Sequence, residues 1–248
     1  MVVVLACLVA WVSAEQNAQQ IIEESQRRTH AISVRYEGRL QVTNSRGKTS
    51  EKRWQLQRIA SHSTGKTMVR FTDPPKIKGM VFLMINRPQH APDGWMWIPA
   101  AGRERRIQLQ DRHARFLDTD FNVDDLEEQD LGEYNNELIG DAVVDGSPCW
   151  IIRAVPRTNQ VSPYTSLLLY IRRKDYAIAQ LENYIGKDVV RRMRFEDIKD
   201  IRGIPTPGVI EAADLRRHSR TTLTLDNLQY NVPMPERDFS MEAIRNSN

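Results

Sequence analysis

The chain has 248 residues, of which 40% are hydrophobic and 27% are charged, as is typical of a globular protein that buries a sizeable core. Its 35 basic and 32 acidic residues give a formal net charge of +3. Because the basic residues are spread along the chain without a dense block, we expect no nucleic-acid partner.

The first residues form an apolar run, Val2–Val12, which has the length of the hydrophobic region of a signal peptide. Small residues end the run, and the pattern predicts a signal peptide of residues 1–14 that is cleaved before Glu15. The run is too short to span a bilayer, which needs roughly 20 apolar residues. No Lys or Arg precedes it, which departs from the usual pattern, and a buried N-terminal strand is the alternative.

Two periodicities follow this run. Residues 18–32 have helical spacing with a narrow apolar face at Ile21 and Ile22, which predicts a helix that lies on another layer. Apolar and polar residues then alternate over Ile32–Val42, which predicts a half-buried strand. Similar strands continue along the chain, with turns between them. We expect one domain, residues 15–248, built on a large curled antiparallel sheet of about eleven strands.

The segment Met68–Leu126 contains strands that have no polar face. In the predicted strands 77–85 and 95–98, both sets of alternating positions are apolar from residue 80 to 85 and from 95 to 98. An antiparallel sheet with one solvated face should instead alternate between apolar and polar residues. The second apolar face therefore packs either in an ordinary two-layer core or around an enclosed apolar cavity. Met80 and Met84 suit a cavity for a flexible apolar ligand, because methionine side chains adapt their shape.

Residues 118–133 hold eight acidic side chains. Residues 124–128 predict a short helix with acids in its first turn, where they suit the helix dipole. We expect a solvated acidic turn that pairs with Arg103, Arg105 and Arg106. A calcium loop is the alternative, although the spacing of an EF-hand is missing.

The sequence contains no motif of catalysis or metal binding. Its histidines are isolated, and it has neither a G-x-S-x-G elbow nor a Gly-rich phosphate loop. Without residues 1–14, Cys149 is the remaining cysteine, so the chain cannot form an internal disulfide. Its position between Pro148 and Trp150 suits a small core residue. We therefore expect no cofactor, no metal and no enzymatic activity.

A combination of residues along nearly all of the chain after residue 15 resembles the outer-membrane lipoprotein-sorting protein family, the LolA-like group. The residues that carry the resemblance are Phe71, Pro74, Lys78, Gly79, Phe82, Leu83, Trp95–Ala100, Arg103, Arg106, Ile107, Phe116, Asp120, Phe121, Asp125, Leu126, Asp145, Gly146, Cys149, Pro156, Tyr164, Tyr170, Tyr176, Tyr184 and Pro233–Phe239. One departure is Leu117–Thr119, where the family pattern has a small turn that contains glycine.

The resemblance implies a half-open antiparallel β-barrel whose concave face is covered by helices and encloses an apolar cavity. It implies a monomeric periplasmic carrier for the acyl chains of lipoproteins or lipids, without a cofactor. The expected partners are the acylated cargo, an inner-membrane transporter and an outer-membrane acceptor. The early helix and residues 123–130 are the expected lid. The alternative is a periplasmic lipid-sensing protein that signals through a partner.

Such a cavity would be lined by aromatic and flexible apolar side chains, since these cover an acyl chain with few fixed geometric demands. The candidate ligand-binding residues are Trp54, Met80, Phe82, Met84, Trp95, Trp97, Phe116, Phe121, Leu168, Tyr170 and Tyr184.

Overall fold

The computed structural model describes residues 17–60, 64–87, 93–108, 113–127, 130–157 and 162–246. The predicted signal peptide and the end of the predicted lid segment, residues 128–129, lie outside these ranges. Within them, helix α1 spans Ala18–Thr29 and helix α2 spans Met241–Asn246. Short 3-10 helices occupy Pro99–Ala101, Val123–Leu126, Leu131–Glu133 and Glu236–Asp238.

The strands make up most of the remaining structure. They are β1 Ser33–Thr43, β2 Thr49–Ile59, β3 Lys66–Asp73, β4 Val81–Ile85, β5 Asp93–Ile98, β6 Arg103–Ile107, β7 Tyr134–Val144, β8 Ser147–Pro156, β9 Ser166–Arg172, β10 Ile178–Ile185, β11 Asp188–Glu196, β12 Lys199–Ile201, β13 Ile204–Thr206, β14 Val209–Asp214 and β15 Ser219–Tyr230.

Thirteen of these strands form one antiparallel sheet in the order β6-β5-β4-β3-β2-β1-β15-β14-β11-β10-β9-β8-β7, and β12 pairs with β13 in a separate hairpin. The prediction of a mainly antiparallel β-protein is confirmed, but the prediction of about eleven strands is wrong. Short strands at the edge of the sheet, such as β6 with five residues, raise the number above eleven. Among the described residues, the terminal strands β6 and β7 do not pair, so the sheet does not close into a barrel.

Helix α1 begins at a capping box. The side chain of Asn17 accepts a hydrogen bond from the backbone N–H of Gln20 at 2.9 Å, and the Gln20 side chain accepts one from the N–H of Asn17 at 3.0 Å. Ile21 and Ile22 are fully buried beneath the helix. The predicted helix is confirmed, although it ends at Thr29 because the chain becomes extended from His30 onward.

One face of the sheet surrounds a single core. Side chains from β2, β3 and β4 (Trp54, Phe71 and Phe82) belong to the same apolar cluster as Ile152 of β8 and Leu169 of β9. These strands lie far apart in the order of the sheet, so the sheet must curve around the cluster. We call this inner side the concave face.

The opposite face of β4 carries a second, smaller cluster. Val81 and Leu83 are fully buried there against Phe239 and Ile244 of the C-terminal segment 234–244. Strand β4 therefore lacks a polar face because the end of the chain covers its outer side. The second layer that we had considered for this strand is supplied by residues about 150 positions away in the sequence.

Cys149 is fully buried in β8, as predicted. Its Sγ donates a hydrogen bond to the carbonyl oxygen of Ser147 at 3.3 Å. Burial raises the pKa of the thiol, which favours its uncharged form. It therefore packs as a small apolar side chain.

Trp54 lies directly over Gly38, its partner across β1 and β2. A Cβ added at Gly38 would lie 1.8 Å from Nε1 of Trp54 and 2.4 Å from its Cδ1. The indole N–H is buried and has no hydrogen-bond partner. The absence of a side chain at position 38 thus creates the space for the largest aromatic residue of the concave core.

Gly38→Ala is expected to lower the free energy of unfolding by about 1–3 kcal/mol, because the new methyl group displaces the Trp54 indole from its packed position. Urea denaturation would measure the change. In a Trp54→Leu background the same substitution should cost much less, since the overlapping ring is gone. An equal cost in both backgrounds would show that the Gly38–Trp54 contact is not the cause.

Candidate functional site

Residues 113–127 lie on the concave face, and we call them the plug segment. Its Phe116 is inserted among aromatic residues of three strands. The Phe116 ring centroid lies 5.8 Å from that of Trp54, 5.5 Å from that of Phe71 and 4.4 Å from that of Phe82. Phe116 is 1% exposed. The plug segment therefore fills the aromatic part of the concave face with a side chain from outside the sheet.

The tip of the plug segment is a tight turn with an unusual backbone. The N–H of Phe116 donates to the carbonyl oxygen of Phe121 at 2.7 Å, and the N–H of Thr119 donates to that of Phe116 at 3.0 Å. Leu117 and Asp118 have φ angles of +45° and +61°. These are left-handed conformations that glycine adopts without a steric cost. Residues Leu117–Thr119, which replace the glycine-containing turn of the family pattern, thus still form a turn. Leu117 and Asp118 adopt strained backbone conformations to do so.

Asp120 connects the plug segment to β15. Its fully buried carboxylate accepts hydrogen bonds from Ser219 Oγ at 2.5 Å and Thr221 Oγ1 at 2.8 Å. The backbone N–H of Asp120 donates to Thr221 Oγ1 at 2.9 Å. Arg115, within the plug segment, also donates to this carboxylate at 3.2 Å and to the carbonyl oxygen of Thr119 at 2.8 Å. The carboxylate is therefore buried with several hydrogen-bond donors.

A buried ion pair connects the plug segment to β11. The side chains of Arg191 and Asp125 are 7% and 6% exposed, and two guanidinium nitrogens donate to the two carboxylate oxygens, one of them at 3.1 Å. Arg191 Nε also donates to the carbonyl oxygen of Asp120 at 3.1 Å. Burial alone would lower the pKa of Arg191, but Asp125, Tyr164 and Asp120 together outweigh it, so the pKa is raised. The contact is bidentate, with two guanidinium nitrogens on two carboxylate oxygens.

Further polar groups surround this ion pair. The backbone N–H of Asn122 donates to Asp125 Oδ2 at 2.6 Å, and Asn122 Nδ2 donates to the hydroxyl of Tyr164 at 3.2 Å. Asn183 lies opposite Arg191 across β10 and β11 and is 2% exposed. Its buried Oδ1 has no hydrogen-bond partner. The polar groups at this end of the concave face are therefore not fully paired by the protein itself.

The acidic stretch differs from the expected solvated turn, because Asp120 and Asp125 are buried. A short helix is present as predicted, but it is the 3-10 helix Val123–Leu126 and ends before Glu127, whose backbone is extended. Asp124 pairs with Nδ1 of His113 at 2.7 Å. The solvated turn was wrong because burial against β11 and β15 cannot be inferred from local charge density.

Helix α1 covers the other half of the concave face. Its Arg28 guanidinium lies 4.4 Å from the ring centroid of Tyr176, whose ring lies 5.1 Å from that of Trp150. Glu24 accepts a hydrogen bond from Arg28 at 2.6 Å, and Arg27 and Arg28 lower the pKa of Glu24 to about 2. The concave face is thus covered by two separate elements, α1 and the plug segment.

The eleven candidate residues fall into three places. Trp54, Phe82, Met84, Phe116 and Phe121 lie in the concave core, and Met80 packs against it. Trp95 and Trp97 pack instead with the C-terminal segment on the outer face.

Leu168 and Tyr170 alternate with core residues of β9 and therefore lie on the outer face. The hydroxyls of Tyr170 and Tyr184 both donate to Glu182 Oε2, at 3.4 and 3.1 Å. Burial raises the pKa of Tyr184 to about 12. These three candidates are thus not brought together with the aromatic group around Phe116.

Arg191, Ser219 and Thr221, which hold the plug segment, were not among the candidates predicted from the sequence. A signal was present, because Arg191 shares a strand face with Met193 and Phe195, both of which pack in the concave core. An arginine in an apolar stripe has to be paired when it is buried. Its partner Asp125 lies 66 positions earlier in the sequence.

Two absences apply to the ranges that the structure describes. There, no group of three or more His, Cys, Asp or Glu side chains is arranged to hold a metal ion. Neither helix in those ranges has the length and apolar character needed to cross a bilayer.

Comparison with known proteins gives one family model, described as an uncharacterized protein, which matches residues 63–246. No curated protein matches the chain. Among solved structures, the chain is similar to a DUF1329 family protein from Desulfovibrio piger, with a TM-score of 0.86 at 20% identity over 92% of this chain and 97% of that chain.

Two further structures have the same arrangement. A domain assigned as an outer membrane lipoprotein-sorting protein from Vibrio parahaemolyticus has a TM-score of 0.85 at 19% identity, covering 92% of this chain and 98% of that one. A LolA superfamily protein from Nitrosomonas europaea has a TM-score of 0.73 at 18% identity, covering 92% of this chain and all 100% of that one. These similarities confirm the predicted LolA-like fold.

Removal of one partner of the buried ion pair is expected to destabilise the protein strongly. Arg191→Met or Asp125→Leu alone should lower the free energy of unfolding by about 3–5 kcal/mol, because each leaves a buried charge unpaired. The double substitution should cost clearly less than the sum of the two, since it leaves no unpaired charge.

Urea denaturation of the four proteins would measure this coupling. Arg106→Met is the matched control, because Arg106 pairs with Asp93 at 2.6 Å but is 58% exposed. The control should cost less than about 1 kcal/mol. Additive effects at Arg191 and Asp125 would contradict the assignment of this pair as the attachment of the plug segment.

Proposed function

Because the chain belongs to the family whose model matches residues 63–246 and has the LolA-like fold, we propose that it is a periplasmic carrier of acyl chains. In this proposal residues 1–14 are the signal peptide and residues 15–248 form one carrier domain. The protein takes up lipids or acylated lipoproteins, encloses their chains against the concave face and releases them at another membrane. It acts without catalysis or a cofactor.

One observation supports this proposal most directly. The concave face is apolar over strands from both halves of the sheet, and separable segments cover it, namely α1 and the plug segment. A second sheet would be held by a continuous interface, whereas each of these segments can move while the sheet remains paired. An apolar surface with a removable cover is the arrangement that a reversible acyl-chain site requires.

The energies are compatible with exchange of the plug segment for an acyl chain. Burial of a chain of about sixteen carbons gains roughly 12 kcal/mol relative to water. Loss of the pair between Arg191 and Asp125 costs about 3–5 kcal/mol if one charge is left alone. Loss of the buried apolar side chains of the plug segment, Phe116, Phe121, Val123 and Leu126, costs about 1.5–3 kcal/mol each in addition. The gain and the cost of the exchange are therefore of similar size, as a reversible site requires.

Release of the acyl chain at a membrane follows from the same comparison of free energies. A bilayer buries an acyl chain about as well as the protein does, so the chain itself favours neither site. The contacts that the plug segment regains when it returns to the concave face then favour the empty protein. A partner at the acceptor membrane needs only to provide access.

The candidate residues can be narrowed on this basis. We propose that cargo contacts Trp54, Met80, Phe82 and Met84 on the concave face and displaces Phe116 and Phe121 together with the plug segment. The other five candidates lie on the outer face of the sheet, away from the plug segment. They are Trp95 and Trp97 under the C-terminal segment, and Leu168, Tyr170 and Tyr184. We further propose that the carrier is monomeric and exchanges cargo with an inner-membrane transporter and an outer-membrane acceptor.

Phe116→Ala tests the proposal, because it removes the side chain that occupies the aromatic part of the concave face. The variant should bind a fluorescent fatty acid more tightly than the unmodified protein, although its free energy of unfolding should fall by about 3–5 kcal/mol. Fluorescence titration and urea denaturation would measure the two effects.

Phe239→Ala is the matched control, since Phe239 is 2% exposed but lies on the outer face under the C-terminal segment. It should cost similar stability without a gain in affinity for the probe. Equal changes in probe affinity for the two variants would mean that the probe reports loosened packing. If the unmodified protein and both variants all failed to bind the probe, that would contradict the carrier function.

A further inference from the structure

The concave face contains a set of hydrogen-bond donors that the plug segment occupies with its own carboxylates. We propose that the cargo is an acyl lipid with an anionic group, a phosphate or a carboxylate, next to its chain. In the loaded protein this group takes the place of Asp125 and Asp120 on Arg191, Ser219 and Thr221. This inference rests on the proposed function and names the chemical class of its substrate.

The donors belong to the sheet and the acceptors belong to the plug segment. Arg191 of β11 holds the carboxylate of Asp125 with two nitrogens. Ser219 Oγ and Thr221 Oγ1 of β15 hold the carboxylate of Asp120 at 2.5 and 2.8 Å. When the plug segment leaves, the donors stay on the sheet.

Displacement by a neutral chain would leave Arg191 without a counter-charge. Its side chain is 7% exposed with the plug segment in place, and a neutral acyl chain lying over the same stripe of β11 would keep water from it. An unpaired buried cation is strongly disfavoured. An anionic group on the cargo removes this penalty, because it presents oxygen acceptors to the same bidentate guanidinium.

Arg115 does not compensate for the loss of the plug segment. It donates to the carbonyl oxygens of Asp118 and Thr119, both at 2.8 Å, and therefore moves with the plug segment. Among the side chains that bind Asp120 and Asp125, the cation that remains on the sheet is Arg191. The exchange at Arg191 is thus one of carboxylate for anion.

Asn183 provides a second and independent observation. It lies directly opposite Arg191, it is 2% exposed, and its Oδ1 has no hydrogen-bond partner. A buried hydrogen-bond acceptor without a partner lowers the stability of the folded protein. A hydroxyl group beside the anion of a lipid headgroup would donate a hydrogen bond to Oδ1.

The test compares ligands that share one palmitoyl chain. Palmitate and palmitoyl lysophosphatidic acid carry an anion, monopalmitoylglycerol carries none, and inorganic phosphate has no chain. Competition with a fluorescent fatty acid and native mass spectrometry would measure their binding to residues 15–248. We expect both anionic lipids to bind at least roughly tenfold more tightly than monopalmitoylglycerol, and phosphate alone to compete poorly.

Three variants assign this preference to Arg191. Arg191→Gln should abolish the preference and keep the binding of monopalmitoylglycerol. Asp125→Asn should strengthen the binding of the anionic lipids by roughly tenfold, because it weakens the internal competitor. Arg106→Gln, in the exposed pair with Asp93, should change neither. If circular dichroism shows that Arg191→Gln does not fold, the double variant Ser219→Ala, Thr221→Val should reduce the preference while the ion pair remains.

The possible failures are distinguishable. Equal binding of anionic and neutral lipids would overturn this inference and leave the carrier function standing. Competition by inorganic phosphate as strong as that by the anionic lipids would show a site for a free ion and would also overturn it. Binding of none of the lipids would overturn the proposed function itself.

Discussion

The ion pair between Arg191 and Asp125 is the interaction on which the arrangement of the concave face depends. A buried ion pair adds little net stability compared with apolar residues of the same size, because both charges lose their hydration. The pair does define the position of the plug segment, since any other position would leave a buried charge unpaired, which costs free energy. The pair therefore fixes where the plug segment lies without making the attachment as tight as continuous apolar packing would.

The two faces of β4 illustrate different ways to cover an apolar strand. On the outer side, Phe239 and Ile244 pack against Val81 and Leu83, and ion pairs of Lys66 with Glu236 and of Arg245 with Glu104 hold the C-terminal segment at the surface. On the concave side, the aromatic contacts of Phe116 are combined with buried charges. The two covers therefore differ in that the inner one places its own carboxylates on buried hydrogen-bond donors of the sheet.

Local patterns predicted the elements well and their long-range partners poorly. The helical spacing of Ile21 and Ile22 made α1 predictable from the sequence, and alternation of apolar and polar residues did the same for the long strands. No local pattern shows that Asp120 meets Thr221, which lies 101 positions later, or that β4 is covered from the C-terminus. Trp95 and Trp97 entered the candidate group for the same reason, because composition identifies an apolar strand but not the layer against which each of its faces packs.

Hydrogen exchange of the backbone amides in the plug segment tests the central claim most directly. In the free protein the N–H groups of Phe116, Asp120 and Asn122 are hydrogen-bonded, to Phe121, Thr221 and Asp125. A saturating fatty acid should accelerate the exchange of these amides by at least roughly tenfold and leave the amides of β15 that pair with β1 protected. Unchanged or increased protection of the plug segment in the lipid-bound protein would contradict the claim that an acyl chain replaces it on the concave face.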